Sequence, residues 1–318
     1  MTTERPQKST TVRMHSRPIL RAVRGGFALA ERWAPTLGAR AAARLWCRVP
    51  RGRRIVPTAP TIPGRRTVVR AAGRQVAVES WGNGASVYLV HAWGSSRQQW
   101  APFVRPLVEA GLRVVALDAP SHGDSAPGAS GRRHGTLQQF VDALAATVAV
   151  FGPARAIVGH SLGGAAAAVA VLDGVPTDRL VLVSSPVDPL SYTPEFAAVL
   201  GFGERVRMRL LHRLEVLSGR PVTAFDVAAR ARGGAERHLP PLLAVHDIED
   251  KEARYDDALR IVEAWPQAEL VTTRGLGHRR IMRDDEVVRL VVDHVAGQDE
   301  RAPAGPPDGS RRAGRRES

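Results

Sequence analysis

Short, continuously apolar segments alternate with longer amphipathic ones from about residue 66 onward. The apolar segments have the length of strands and lie at 86–91, 113–118, 154–159, 180–183, 242–245 and 269–272. The amphipathic segments have helical periodicity and lie at 98–110, 136–151, 163–172, 252–265 and 284–295. Two further segments, 67–71 and 75–80, predict a strand pair around Gly73. Apolar strands that alternate with helices indicate an α/β fold, a mostly parallel sheet with helices on both faces.

One segment, 189–238, interrupts this alternation. It contains no strand pattern, is mostly helical in character, and has a strongly amphipathic stretch at 204–217. Insertions that carry function are found in loops on a rigid scaffold. We therefore expect residues 189–238 to form a small helical cap over a functional site.

The residues before the predicted sheet differ from it in composition and hydrophobic pattern. Residues 1–16 are polar and basic and are predicted to be disordered, whereas 18–47 hold amphipathic helical segments separated by Pro35. Arginines occupy the face opposite the apolar one. We expect residues 1–65 to be an extension packed on the domain, joined to it by a Pro- and Arg-rich linker at 50–66. Peripheral contact of 18–47 with a membrane surface is the less favoured alternative.

The predicted domain organisation is thus an N-terminal extension at 1–65, one α/β domain at 66–298, and a disordered tail at 299–318. The formal charge of +14 does not belong to the domain, because residues 1–66 hold fifteen basic and two acidic residues. Residues 67–298 hold equal numbers of both. Only Lys8 and Lys251 among the basic residues are lysines, a bias typical of GC-rich coding. Nucleic acid is therefore not predicted as a partner.

The single cysteine, Cys47, excludes an internal disulfide and a cysteine cluster for zinc. No run of 18 uncharged apolar residues is present, and no apolar h-region follows the basic first residues. The expected location is cytoplasmic.

The sharpest chemical signal is Gly-His-Ser-Leu-Gly at 159–163. This G-x-S-x-G pattern follows an apolar strand directly and precedes an Ala-rich helix, the setting of a nucleophile elbow. A strained turn exposes the serine hydroxyl, the glycines permit close backbone contact, and the helix N-terminus favours developing negative charge. Ser161 is therefore the candidate nucleophile.

Here the sequence resembles the α/β-hydrolase family over about residues 66–298. Strand 86–90 ends in His91-Ala92-Trp93-Gly94, where the family has His-Gly-x, so Ala92 departs from the usual glycine. Residues 118–125 (Asp-Ala-Pro-Ser-His-Gly-Asp-Ser) are similar to the family's Asp-x-Pro-Gly-x-Gly-x-Ser loop. The resemblance implies the fold of that family and a Ser–Asp–His catalytic triad in this chain order.

The resemblance also implies the other site residues. The segment Gly-Leu-Gly-His-Arg at 275–279 looks like the family's histidine loop, so His278 is the expected general base. Asp250 falls on the position of the acid, with Asp247 and Asp188 left as alternatives. The expected oxyanion donors are the backbone N–H groups of Leu162 and Trp93.

These residues lead us to expect a serine hydrolase that cleaves a small-molecule carboxylic ester through an acyl-enzyme, without a cofactor or a metal. Thioester hydrolysis, C–C bond hydrolysis and acyl transfer to another acceptor need the same triad. A non-catalytic binding protein on this scaffold and a membrane-associated lipid esterase remain as other classes. The sequence offers candidates for the pocket lining, all in the cap: Leu190, Phe196, Leu200, Phe202 and Leu211.

Overall fold

A computed structural model describes residues 16–50, 62–233 and 238–297. Residues 1–15 and 298–318 lie outside the described residues. They include all of the predicted disordered tail at 299–318 and all of the predicted disordered segment 1–16 except Ser16, which begins a helix. Most of the predicted linker, 51–61, lies outside them as well.

Eight strands in the described ranges form one sheet in the order β1-β2-β4-β3-β5-β6-β7-β8. The strands are β1 (Arg65–Ala71), β2 (Arg74–Trp81), β3 (Ser86–Val90), β4 (Arg113–Leu117), β5 (Ala154–His160), β6 (Leu180–Val183), β7 (Leu242–Asp247) and β8 (Ala268–Thr273). β2 pairs antiparallel with β1 and β4, and all later neighbours are parallel. The mostly parallel sheet is confirmed.

The helices are α1 (Ser16–Trp33), α2 (Pro35–Trp46), α3 (Ala101–Glu109), α4 (Leu137–Phe151), α5 (Leu162–Leu172), α6 (Thr193–Leu200), α7 (Glu204–Ser218), α8 (Val227–Gly233), α9 (Tyr255–Ala264), α10 (Gly277–Arg280) and α11 (Asp285–Ala296). Short 3₁₀ turns occupy 97–100, 189–192, 222–225 and 281–283. The helix predicted at 252–265 begins only at Tyr255, because the backbone N–H groups of Glu252 and Ala253 donate to the Asp250 carboxylate instead.

Two apolar cores lie on opposite faces of the sheet, as strands buried on both sides require. One core packs α4, α5, α8 and α9 against the sheet and contains Phe140, Ile157 and Trp265. The other packs α3 and α11 on the reverse face and contains Trp100, Phe103 and Val291. The predicted placement of helices on both faces is confirmed.

A third core joins the N-terminal helices to the inserted helices α6 and α7, which we call the cap helices. Phe27 of α1, Ala42 of α2 and Val206 of α7 are buried together in it. Pro35 separates α1 from α2 at the position where the sequence predicts a break, and it occupies the first position of α2. Helix α8 lies inside the segment predicted as the cap, yet its residues Val227 and Ala228 are buried in the first core, against the sheet.

Among the helices of the described ranges, none combines the length and the apolar character needed to cross a bilayer.

Candidate active site

Ser161 lies at the turn between β5 and α5. Its backbone has φ 55° and ψ −128°, a region that side-chain-bearing residues rarely occupy. A Cβ on Gly159 would lie 2.4 Å from Gly164 Cα, and a Cβ on Gly163 would lie 2.3 Å from the carbonyl oxygen of His91. Both glycines of the pentapeptide are thus required for close backbone approach, which holds Ser161 in the strained turn.

The structure brings Ser161, His278 and Asp250 into one hydrogen-bonded chain. Nδ1 of His278 donates to the Asp250 carboxylate at 2.7 Å, and Oγ of Ser161 lies 3.0 Å from Nε2 of His278. With the proton on Nδ1, Nε2 has a free lone pair and accepts the Ser161 hydroxyl proton. The side chains of Asp250 and His278 are 0% and 8% exposed, so solvent only weakly screens the electrostatic interaction between them.

Asp250 is held as an anion by its donors. Its Oδ1 accepts the backbone N–H groups of Glu252 at 2.7 Å and Ala253 at 3.0 Å, while Oδ2 accepts from His278. Burial acts to raise the pKa of this carboxyl, but the His278 and backbone hydrogen bonds outweigh it and lower the pKa to about 2.

The other two candidate acids lie elsewhere. Asp247 ends β7, and its carboxylate accepts from the Thr273 hydroxyl and the Leu276 backbone N–H, both at 2.9 Å. It therefore fastens the loop that carries His278 to the sheet. Asp188 caps the 3₁₀ turn at 189–192 by accepting from the Leu190 N–H. No hydrogen bond joins either carboxylate to His278 within the described residues.

The two expected oxyanion donors lie at the cavity beside Ser161. Leu162 begins α5 and Trp93 lies in the loop after β3, and both line the same cavity as Ser161. Ala92 has no positive φ, so this loop does not need a glycine there, whereas Gly94 has φ +72°. The Ala92 N–H is held by the Gln99 side chain at 3.3 Å. The departure from the family's glycine is therefore compatible with the loop conformation.

Three buried histidines support the loops around the site without belonging to the chain of hydrogen bonds. Nε2 of His160 donates to the carbonyl of His278 at 2.9 Å, and Nε2 of His91 accepts the Ala119 N–H at 3.0 Å. His122 lies 5.1 Å from the Trp93 ring. Burial lowers the pKa of His91 to about 4 and the pKa of His160 and His122 to about 3. All three are neutral near pH 7.

Sequence reasoning missed Arg97. Its guanidinium is buried, bonds Glu79 at 2.9 Å and Asp124 at 2.8 Å, and also pairs with Asp118. It thereby ties the loop that contains Trp93 to the loop after β4. The segment 118–125, which resembles a family loop, includes Asp118 and Asp124, but no local sequence pattern marks Arg97 as the partner of these aspartates.

The cavity above Ser161 has a volume of about 930 Å³ and a mostly apolar wall. Leu190 and Phe196 line it as expected, whereas Phe202 is buried in the third core and Leu200 packs against that core. Leu211 does not line it either. In the described part of the chain, no group of three His, Cys, Asp or Glu side chains is placed to hold a metal ion.

Parts of this chain are similar in sequence to parts of known proteins. It is 34% identical over 106 residues to the dihydrolipoyllysine-residue acetyltransferase component of the acetoin cleaving system of Cupriavidus necator, covering 33% of this chain and 28% of that protein. It is 33% identical over 98 residues to a non-heme haloperoxidase of Rhodococcus erythropolis, covering 30% and 35%. The matches thus span about a third of these curated relatives.

Solved structures share the fold. One described as Est816, an N-acyl homoserine lactone degrading enzyme, superposes with a TM-score of 0.55 at 20% identity, covering 71% of this chain and 98% of that one. A sequence model described as "Alpha/beta hydrolase family" matches residues 87–290. This match includes Ser161, Asp250 and His278 and extends over more than half of the sequence. The chain belongs to the alpha/beta hydrolase family.

Proposed function

We propose that this protein hydrolyses a carboxylic ester through an acyl-enzyme, with Ser161 as nucleophile, His278 as general base and acid, and Asp250 as the acid that orients His278. The observation that carries the proposal is the Asp250–His278–Ser161 chain of hydrogen bonds, with lengths of 2.7 and 3.0 Å, beneath an apolar cavity. Distances of this size are those that proton transfer between a nucleophile and its base requires.

In the first half-reaction Ser161 Oγ attacks the ester carbonyl while its proton passes to Nε2 of His278. The resulting oxyanion lies between the backbone N–H groups of Leu162 and Trp93. No protein acceptor in the described ranges is bonded to either N–H. Such donors stabilise the charge that develops in the transition state. His278 then gives its proton to the leaving alkoxide, and the C–O bond breaks to leave the acyl-enzyme.

In the second half-reaction a water molecule attacks the acyl carbonyl and gives a proton to His278. Collapse of the second tetrahedral intermediate returns that proton to Ser161 Oγ and releases the carboxylic acid. The Asp250 carboxylate, with its pKa of about 2, remains ionised throughout and stabilises the imidazolium form of His278 in both halves.

The names of the relatives do not select the reaction, because one fold hosts many activities. They include an acetyltransferase component and a haloperoxidase, and the structural neighbour Est816 is described as degrading a lactone, which is a cyclic ester. The acyl-enzyme route through Ser161 is therefore argued from the site and not from any of these names.

The test is hydrolysis of p-nitrophenyl esters by the wild type, by Ser161→Ala and by the matched control Ser218→Ala. Ser218 lines the same cavity, and its hydroxyl is bonded to backbone carbonyls rather than to His278. We expect kcat to fall by about 10⁴-fold or more in Ser161→Ala and to stay within about threefold of wild type in Ser218→Ala, since the Ser218 hydroxyl takes no part in the proposed proton transfer.

Ester hydrolysis that survives Ser161→Ala would contradict both the assignment of Ser161 as nucleophile and the mechanism. If the wild type turns over no ester but does cleave an acyl thioester in a Ser161-dependent way, the thioesterase alternative replaces the esterase.

A further inference from the structure

Helix α2 and the residues after it precede the part of the chain that matches the family, yet they line the cavity above Ser161. We call residues 45–50 the strap. Its cavity-lining members are Leu45, Trp46, Cys47, Arg48 and Pro50. A segment outside residues 87–290 thus contributes a wall to the candidate active site.

Backbone hydrogen bonds hold the strap in place. The Val49 N–H donates to the carbonyl of Arg133 at 2.8 Å, and the Gly135 N–H donates to the carbonyl of Cys47 at 3.0 Å. The Arg133 guanidinium returns a bond to the Val49 carbonyl at 3.1 Å. Arg48 therefore forms an isolated antiparallel bridge with His134, and these bonds fix the position of the strap on the domain.

The strap also contacts the loop that carries one oxyanion donor. The indole N–H of Trp93 donates to the carbonyl of Arg48 at 3.3 Å. Pro50 packs so closely on Gly94 that a Cβ there would lie 2.7 Å from the proline ring. The wall of the cavity and the loop after β3 are thus joined through the strap.

On the opposite side, the strap reaches the cap helices. The ring of Trp46 meets the ring of Phe196 edge-on, with centroids 5.0 Å apart, and both residues line the cavity. Leu190 and Leu214 extend this apolar surface. The cavity is consequently bordered by the strap, the cap helices and the domain, and its volume is near the upper end of the range for small-molecule sites.

We propose that the strap is the chain-length-selecting wall of the acyl site, and that the substrate class is esters of long, uncharged acyl chains that pack against Trp46. The inference rests on the proposed function. A short acyl group would leave most of this apolar surface uncovered, whereas a long chain would bury it.

The test measures kcat/KM for p-nitrophenyl acetate, butyrate, octanoate and dodecanoate with the full-length wild type, Trp46→Ala and Trp33→Ala. Trp33 is a matched control, because it lies on α1, is 70% exposed and does not line the cavity. We expect Trp46→Ala to lower the dodecanoate-to-acetate ratio by about tenfold or more, mainly through KM, because one apolar contact in a pocket discriminates by that order. Trp33→Ala should keep the wild-type ratio.

A second variant tests the same wall in the opposite direction. Leu45→Trp places a larger side chain in the cavity wall, so the ester with the highest kcat/KM should shift toward butyrate. This variant keeps the inference testable if Trp46→Ala lowers the yield of folded protein. An unchanged dodecanoate-to-acetate ratio in Leu45→Trp and in folded Trp46→Ala overturns the inference, as does an equal change in Trp33→Ala.

Binding separates this inference from the proposed reaction. Calorimetric titration of dodecanoate into Ser161→Ala and into the double variant Ser161→Ala/Trp46→Ala needs no turnover. An affinity at least about fivefold weaker in the double variant supports the strap even if no ester is hydrolysed. Equal affinities overturn the strap while leaving a Ser161-dependent esterase intact.

Discussion

Two aspartates three positions apart, one at the end of β7 and one in the loop after it, have different roles because of what each carboxylate accepts. Asp250 receives the imidazole N–H of His278, whereas Asp247 receives the Thr273 hydroxyl and the Leu276 N–H. One orients the proposed base, and the other fixes the loop that carries it. Replacing Asp247 would therefore displace the base as well, so it cannot serve as a control for Asp250.

Asp250→Asn should lower kcat for ester hydrolysis by about 10³–10⁴-fold, because the amide leaves the imidazole in the wrong tautomer without changing its position. The control is Asp188→Asn, at the second of the two alternative acids, and steady-state kinetics at pH 7.5 is the measurement. An equal loss in Asp188→Asn, or none in Asp250→Asn, would reassign the acid.

At the scale of elements, α1 is joined to cap helix α7 through one carboxylate. Glu31 accepts the backbone N–H groups of Gly203, Arg205 and Val206 at 2.9–3.0 Å. These are orphan donors at the first turn of α7, whose own N-cap residue, Gly203, has no side chain to bond them. A residue remote in sequence therefore caps the helix, and this contact orders the N-terminal helices against the cap.

Glu31→Ala should lower the free energy of unfolding by about 1 kcal/mol, the usual cost of removing a helix cap. Glu31→Gln should lower it less, because its amide oxygen still accepts. Urea denaturation followed by circular dichroism measures both against Glu109→Ala, a carboxylate on α3 that is 65% exposed. A Glu31→Ala loss no larger than that of Glu109→Ala would show that the cap adds nothing to stability.

At the scale of the whole molecule, the buried neutral histidines couple folding to pH. Burial holds the pKa of His91, His122 and His160 at about 4, 3 and 3, well below the value of about 6.5 in an unfolded chain. Between the low pKa values of the folded state and the value of about 6.5 in the unfolded state, the unfolded chain binds more protons than the folded protein. The free energy of unfolding therefore rises with pH in this range. Acidification from pH 7.5 toward 5 should therefore destabilise the protein.

Each such histidine adds up to about 1.4 kcal/mol per pH unit to that slope. His122→Phe should remove one contribution, since the ring lies among Phe140, Trp93 and His91 and its Nε2 has no hydrogen-bond partner among the described residues. Urea unfolding at pH 7.5, 6.0 and 5.0 gives the slopes. Met208→Leu, at an exposed side chain that does not titrate, should leave the slope unchanged; equal slopes in all three proteins would refute the assignment.

Much of the fold could be predicted because its signals are local. The strands β3 and β4 are buried on both faces, Asp284 caps α11, and Thr136 with Gln139 forms a capping box at the start of α4. The start of α9 was wrong by three residues, since the competing acceptor is Asp250, whose role depends on contacts outside that segment.

The sequence by itself determined the alternation of the sheet and helices and the strained turn at Ser161, because each depends on neighbours within a few residues. Only the tertiary structure decided that Asp250, and not Asp247 or Asp188, is hydrogen-bonded to His278. It alone also placed Arg97 among three carboxylates and the strap against Trp93. These contacts join residues tens of positions apart, so their distances depend on how the whole chain packs, which no local pattern encodes.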